Sequence, residues 1–220
     1  MRWILATYHK KSWWQPWANT IAYYPLNSTN TVNDLSWNSN TLTNQWATFW
    51  TYWGVDCVNT TGKSLYWLVT NLPIWNSMRT ISVRANAQAS SSWMAIYWYG
   101  SNTTHNRCVC YRTTIDGWII YFSHQIDDIA TSIVMDTNKR YLFTYTYDGT
   151  TAKWYVNWSL AWSVNVVLET TSSDLVISWW GAWHETFTGY ISNFIIEDKA
   201  RTAEEISDYL NRTKSLYWIS

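Results

Sequence analysis

The chain has 220 residues, enough for one domain with a sizeable core. Its 15 basic side chains cancel its 15 acidic ones, and only 14% of residues are charged, which removes the electrostatic basis for a nucleic-acid, acidic-polymer or anionic-membrane partner. It carries 20 Trp against 7 Gly, the reverse of ordinary usage, so the 47% apolar fraction overstates the core.

Residues 1–18 (MRWILATYHKKSWWQPWA) hold no sustained period and read as a leader or linker. No run there has the length of a secretory signal, and no run anywhere has the length of a spanning helix, so no membrane insertion is expected. Export would need a longer precursor. Ile21-Ala22-Tyr23-Tyr24, stopped by Pro25, is the first strand signal. Asn27 to Asn44 reads as loop, because its amide and hydroxyl side chains compete with regular backbone pairing. Further strands are expected near 64–70, 79–86, 93–99, 107–112, 117–123, 140–147, 151–157, 162–168, 174–179 and 187–197, short segments rich in β-branched and aromatic residues between turns. Asp148-Gly149 between two alternating runs marks the clearest hairpin. So many short strands with few helical signals predict an all-β, antiparallel two-sheet sandwich. Thr202 and Glu205 then form a capping box, and Ile206, Tyr209 and Leu210 form an apolar stripe, so one short C-terminal helix is expected over the sandwich edge. Residues 213–220 read as a tail.

Several segments carry a family likeness. Tyr147-Asp148-Gly149-Thr150-Thr151 leading to Trp154-Tyr155-Val156-Asn157, Leu175-Val176-Ile177-Ser178, Phe187-Thr188-Gly189-Tyr190-Ile191 and Thr202-Ala203-Glu204-Glu205-Ile206 follow one another in order. Together with Ile21 to Leu26, Asp34-Leu35-Ser36-Trp37-Asn38-Ser39-Asn40 and Arg79-Thr80-Ile81-Ser82-Val83, this series resembles the laminin G-like, concanavalin A-like jelly-roll domain in its bacterial, pentraxin-like branch. The likeness covers residues 19–212. Trp37, Trp158 and Trp179 stand where that family has Gly, and Trp13, Trp14 and Trp17 would make residues 1–18 an ordinary Gly-rich linker if they were Gly. This implies recoded Gly/Trp positions, an opal codon read as Gly in the source organism; the competing reading is a Trp-rich binding surface.

The chemistry points away from catalysis. Glycosidases of concanavalin-like fold need two facing carboxylates, and Glu169, Glu185, Glu197, Glu204 and Glu205 form no same-face strand pair. Cys57, Cys108 and Cys110 make either one bridge with a leftover thiol or three reduced thiols. Cys108 and Cys110, with His105 nearby, would be half a zinc site, but inert core thiols are the stronger expectation. By resemblance, calcium is the implied cofactor, with Asp34 as carboxylate ligand and Asn38 and Asn40 supplying oxygens.

A sugar-binding face combines an aromatic platform with amides and carboxylates. Candidates are Trp98, Tyr99, Asn102 and His105 in the 98–106 loop, and Trp183, His184 and Glu185 before the last strand. The resemblance therefore implies a non-catalytic module for carbohydrate binding or adhesion, extracellular at a bacterial cell surface, with a glycan or cell-surface protein as partner. The alternative is a structural or protein-interaction module of a surface or phage-derived fibre.

Overall fold

The computed structural model describes residues 18–29, 32–52, 54–67, 69, 71–88, 94–101, 107–113, 119–123, 129–137, 139–178 and 185–217. The strands form two sheets. The first contains β1 (Thr20–Tyr24), β3 (Thr48–Tyr52), β4 (Val55–Asn59), β6 (Arg79–Ala87), β11 (Tyr141–Tyr147), β12 (Thr151–Val156), β13 (Ser159–Asn165) and β16 (Gly189–Glu197). Its order is β13-β12-β11-β6-β16-β4-β3, with β1 also paired to β16. The second contains β2 (Thr43–Gln45), β5 (Ser64–Trp67), β7 (Met94–Gly100), β8 (Arg107–Thr113), β9 (Ile119–Ser123), β10 (Ile129–Val134), β14 (Leu175–Ile177) and β15 (Glu185–Thr186). Its order is β10-β9-β8-β7-β14-β5-β2; among the described pairs the short β15, beside β7, is the one that runs parallel.

Alternation along the strands builds the core. Val83, Phe143, Tyr145, Phe194 and Ile196 face inward from the first sheet and meet Leu65, Tyr97, Tyr99, Leu175 and Ile177 from the second. Tyr97 meets Phe194 edge-on, ring centroids 5.4 Å apart. Cys108 and Cys110, two residues apart on β8, both lie in this core, and all three cysteines are free and buried. The three thiols are unpaired, and burial pushes Cys57 and Cys108 up to about 11 and raises Cys110 well above the ordinary thiol range, so the reduced, inert alternative holds.

Arg79 also points into this interior. Its guanidinium donates to the Ser77 and Trp75 carbonyls, the Tyr99 hydroxyl (3.0 Å) and Thr170 Oγ1 (2.9 Å), and lies 5.5 Å from the Tyr147 ring.

The helix α1 (Ala203–Tyr217) starts as the capping box requires: Glu205 N donates to Thr202 Oγ1 and Thr202 N to Glu205 Oε2. Two expectations about it are corrected. It runs past 212, so part of the supposed tail is helix, and Thr213 there accepts a hydrogen bond from Arg84 of β6. It lies on the outer face of the first sheet rather than over an edge, because Tyr209 and Leu210 pack on Tyr23, Leu142 and Ile195, which alternation turns away from the main core.

The Trp residues distribute unexpectedly. Trp37 and Trp158 are exposed but do not take left-handed backbone; Asn157, which tolerates it, has φ 57° instead. Trp179 lies outside the described residues, as do Trp13, Trp14 and Trp17. Trp46 and Trp75, which no motif flagged, have φ of 64° and 51° and are 82% and 57% exposed. A side chain costs about 1–2 kcal/mol in that conformation and glycine does not. The double variant Trp46→Gly, Trp75→Gly is therefore expected to melt a few degrees higher than the chain as written, since little burial is lost. If these codons are read as glycine, intact protein from its own source will also be lighter than this sequence. An unchanged mass would refute recoding, and a lowered melting temperature would refute the strain argument.

Candidate functional site

Alternation on the second sheet turns a different set of side chains outward. Val176 of β14 pairs with Trp98 of β7 on one side and Tyr66 of β5 on the other, while their neighbours Tyr97, Tyr99, Leu65, Leu175 and Ile177 go to the core. The outward row floors a cleft of roughly 400 Å³, within the size range of small-ligand sites.

The rim is polar and held in place. Gln45 of β2 faces Ser64, whose hydroxyl donates to Gln45 Oε1 at 3.2 Å. Gly100 N donates to Ser173 Oγ at 2.6 Å, and that hydroxyl donates to the Asp174 carbonyl. Trp98 is only 8% exposed and its Nε1 donates to the Gly100 carbonyl, so it forms the floor. Tyr66 is half-buried, and Gln45 and Asp174 are exposed. Such a surface offers apolar ring faces for C–H groups beside hydroxyl, amide and carboxylate partners for hydroxyls.

Of the ligand residues expected from sequence, Trp98 lines this cleft. Tyr99 does not: one position further along β7 it is buried in the core, its hydroxyl donating to the Pro73 carbonyl. Both belong to a strand and not to a loop, because β7 runs to Gly100. Asn102, His105, Trp183 and His184 lie outside the described residues. Glu185 is in β15, its backbone paired with Met94 of β7. Tyr66, Gln45, Ser64 and Asp174 were missed. Tyr66 alternates with core Leu65, but only the pairing to β14 reveals its company.

Asp34, Asn38 and Asn40 do come together, as a latch. The Asp34 carboxylate accepts from Tyr23 N (2.8 Å), Ser36 N (2.8 Å), Ser36 Oγ (2.6 Å) and Asn40 N (2.9 Å). The amide of Asn38 donates to the Thr20 and Ile21 carbonyls, and that of Asn40 to Ile21. Calcium needs converging oxygens, and here the one carboxylate is filled by four donors, so the arrangement does not fit the ion. No group of three or more His, Cys, Asp or Glu that could hold a metal occurs among the described residues.

The acidic residues near the helix are structural. Arg201 grips Glu197 through both carboxylate oxygens, and Glu205 serves Lys199 and the cap. Burial raises the Glu197 carboxyl while the Arg201 hydrogen bonds oppose it.

No family model matches the sequence, and no curated protein does. Solved structures do. Domain 4 of AbnA, a GH43 extracellular arabinanase from Geobacillus stearothermophilus, solved with arabinotriose, superposes with a TM-score of 0.69 at 15% identity, covering 87% of this chain and 98% of that one. The two share one fold. The binding domain of Paraclostridial Mosquitocidal Protein 1 gives a TM-score of 0.72 at 15% identity over 88% of this chain and 52% of its own. A botulinum neurotoxin type C structure, described as dependent on two ganglioside molecules for cell entry, gives 0.66 at 13% over 88% and 51%. This chain spans about half the length of those two.

Proposed function

We propose that this chain is a non-catalytic carbohydrate-binding module of laminin G-like type, acting in recognition or adhesion at a bacterial cell surface and using the cleft on the second sheet. The observation that carries this reading is the cleft itself: Trp98 and Tyr66 flank Val176 under a rim of Gln45, Ser64, Ser173 and Asp174. The neighbours that share the fold add support, one solved with arabinotriose and one described with gangliosides. Assembly into a fibre is the less favoured use, because α1 already covers part of the first sheet's outer face.

A glycan array probed with the folded chain, with and without calcium, tests the reading. Binding is expected in both conditions and is expected to weaken on the order of tenfold in Tyr66→Ala or Gln45→Ala, the usual scale for a contributing contact. Unchanged binding by both variants at unchanged melting temperature would remove the cleft from consideration, and strict calcium dependence would reopen the Asp34 loop.

A further inference from the structure

The charge and spacing of the cleft go further than its existence. We infer that it takes a neutral oligosaccharide laid across strands β5, β14 and β7, and that it discriminates against sialylated and other anionic glycans. This rests on the carbohydrate reading above.

Charge comes first. Among the described residues lining the cleft, Asp174 is the one charged side chain, and it is exposed on the rim. A carboxylate or sulfate on the ligand would meet that negative charge, with no cation among the described lining residues to receive it, and both groups would give up water to do so. Neutral hydroxyls, which donate and accept, suit what is present. Asp174 accepts, Ser173 keeps an acceptor lone pair beyond its bonds to Gly100 N and the Asp174 carbonyl, and Gln45 keeps its amide N–H groups after accepting from Ser64.

Spacing comes second. Tyr66 and Trp98 both flank Val176, from opposite neighbouring strands. They are therefore two inter-strand steps apart, about 9.5 Å at the usual strand spacing. One sugar ring covers one of these side chains. A chain of linked rings reaches both, with Val176 under its C–H face, so binding must grow with chain length until both are covered.

Calorimetric titration of the intact chain with arabinose, arabinobiose and arabinotriose, with gluco- and manno-oligosaccharides of equal lengths, and with lactose against sialyllactose, provides the test. At least one neutral series is expected to tighten tenfold or more from monosaccharide to trisaccharide, with the gain lost in Tyr66→Ala. Sialyllactose is expected to bind no better than lactose in the wild type, and its disadvantage is expected to shrink in Asp174→Asn. A monosaccharide as tight as its trisaccharide, or sialyllactose tighter than lactose, overturns the inference while leaving carbohydrate binding intact. Silence toward every saccharide, on the array and in solution, sinks the carbohydrate reading and this inference with it.

Discussion

Arg79→Met is expected to lower the melting temperature by on the order of 10 °C, the loss of about 3–5 kcal/mol. The methionine restores the aliphatic bulk but none of the donors. Arg79 donates to four oxygens, those of Trp75, Ser77, Tyr99 and Thr170, and it joins the start of β6 to β7 and to the segment before β14. With the guanidinium gone, these acceptors are stranded where water replaces it poorly, and a stranded buried partner costs more than the bond was worth in net terms. Arg79→Lys should fall between, because an ammonium keeps the charge but lacks the planar fork that reaches all four. Thermal unfolding followed by circular dichroism decides it. A Met variant within about 1 kcal/mol of the wild type would show that the network contributes little.

The second large effect is expected at Gly189, the first residue of β16. A methyl group there would stand 2.2 Å from the Asn86 carbonyl oxygen, 2.8 Å from Phe187 Cε1 and 3.1 Å from Ala87 Cα. Two of these atoms are backbone of β6, held in register with β16 through the Gly189–Ala87 and Tyr190–Asn86 pairs. Neither can retreat without opening the ladder, and Thr60 N also donates to the Gly189 carbonyl. Gly189→Ala is thus expected to cost about 3 kcal/mol or more, the upper end for overpacking, and to appear as lowered soluble yield and a lowered denaturation midpoint. A variant as stable as the wild type would mean that β6 and β16 are farther apart than described.

Gly189 also shows what the sequence reveals. The Phe187-Thr188-Gly189-Tyr190 motif marks it as special, and the packing supplies the reason. Most central strands were readable because Val, Ile, Tyr and Phe alternate there, as in Tyr141–Tyr147, which is buried along its whole length. The strands β2, β3, β4, β10 and the two-residue β15 are not anticipated. β3 is an exposed edge strand without a buried stripe, and β4 is specified by its distant pairing to β16 through Val58 and Ile191. β13 starts at Ser159, not 162, because Asn157 in left-handed backbone makes the preceding turn tight. The cleft was legible only as Trp98. Its other half, Tyr66, and its rim residue Asp174 come from segments far apart in sequence, and no local period encodes which strands become neighbours.

Thr20 of β1 lies opposite Glu197 of β16, so the first strand begins beside the end of the last one on the first sheet, and α1 continues from there over that sheet's outer face. The cleft opens from the other sheet. A tether attached through either strand would therefore leave the mouth of the cleft pointing outward. Several copies borne on one stalk would present their clefts to the same opposing surface, where weak single contacts add through effective concentration. In such an arrangement valency, more than the depth of any one site, sets how firmly two surfaces are held together.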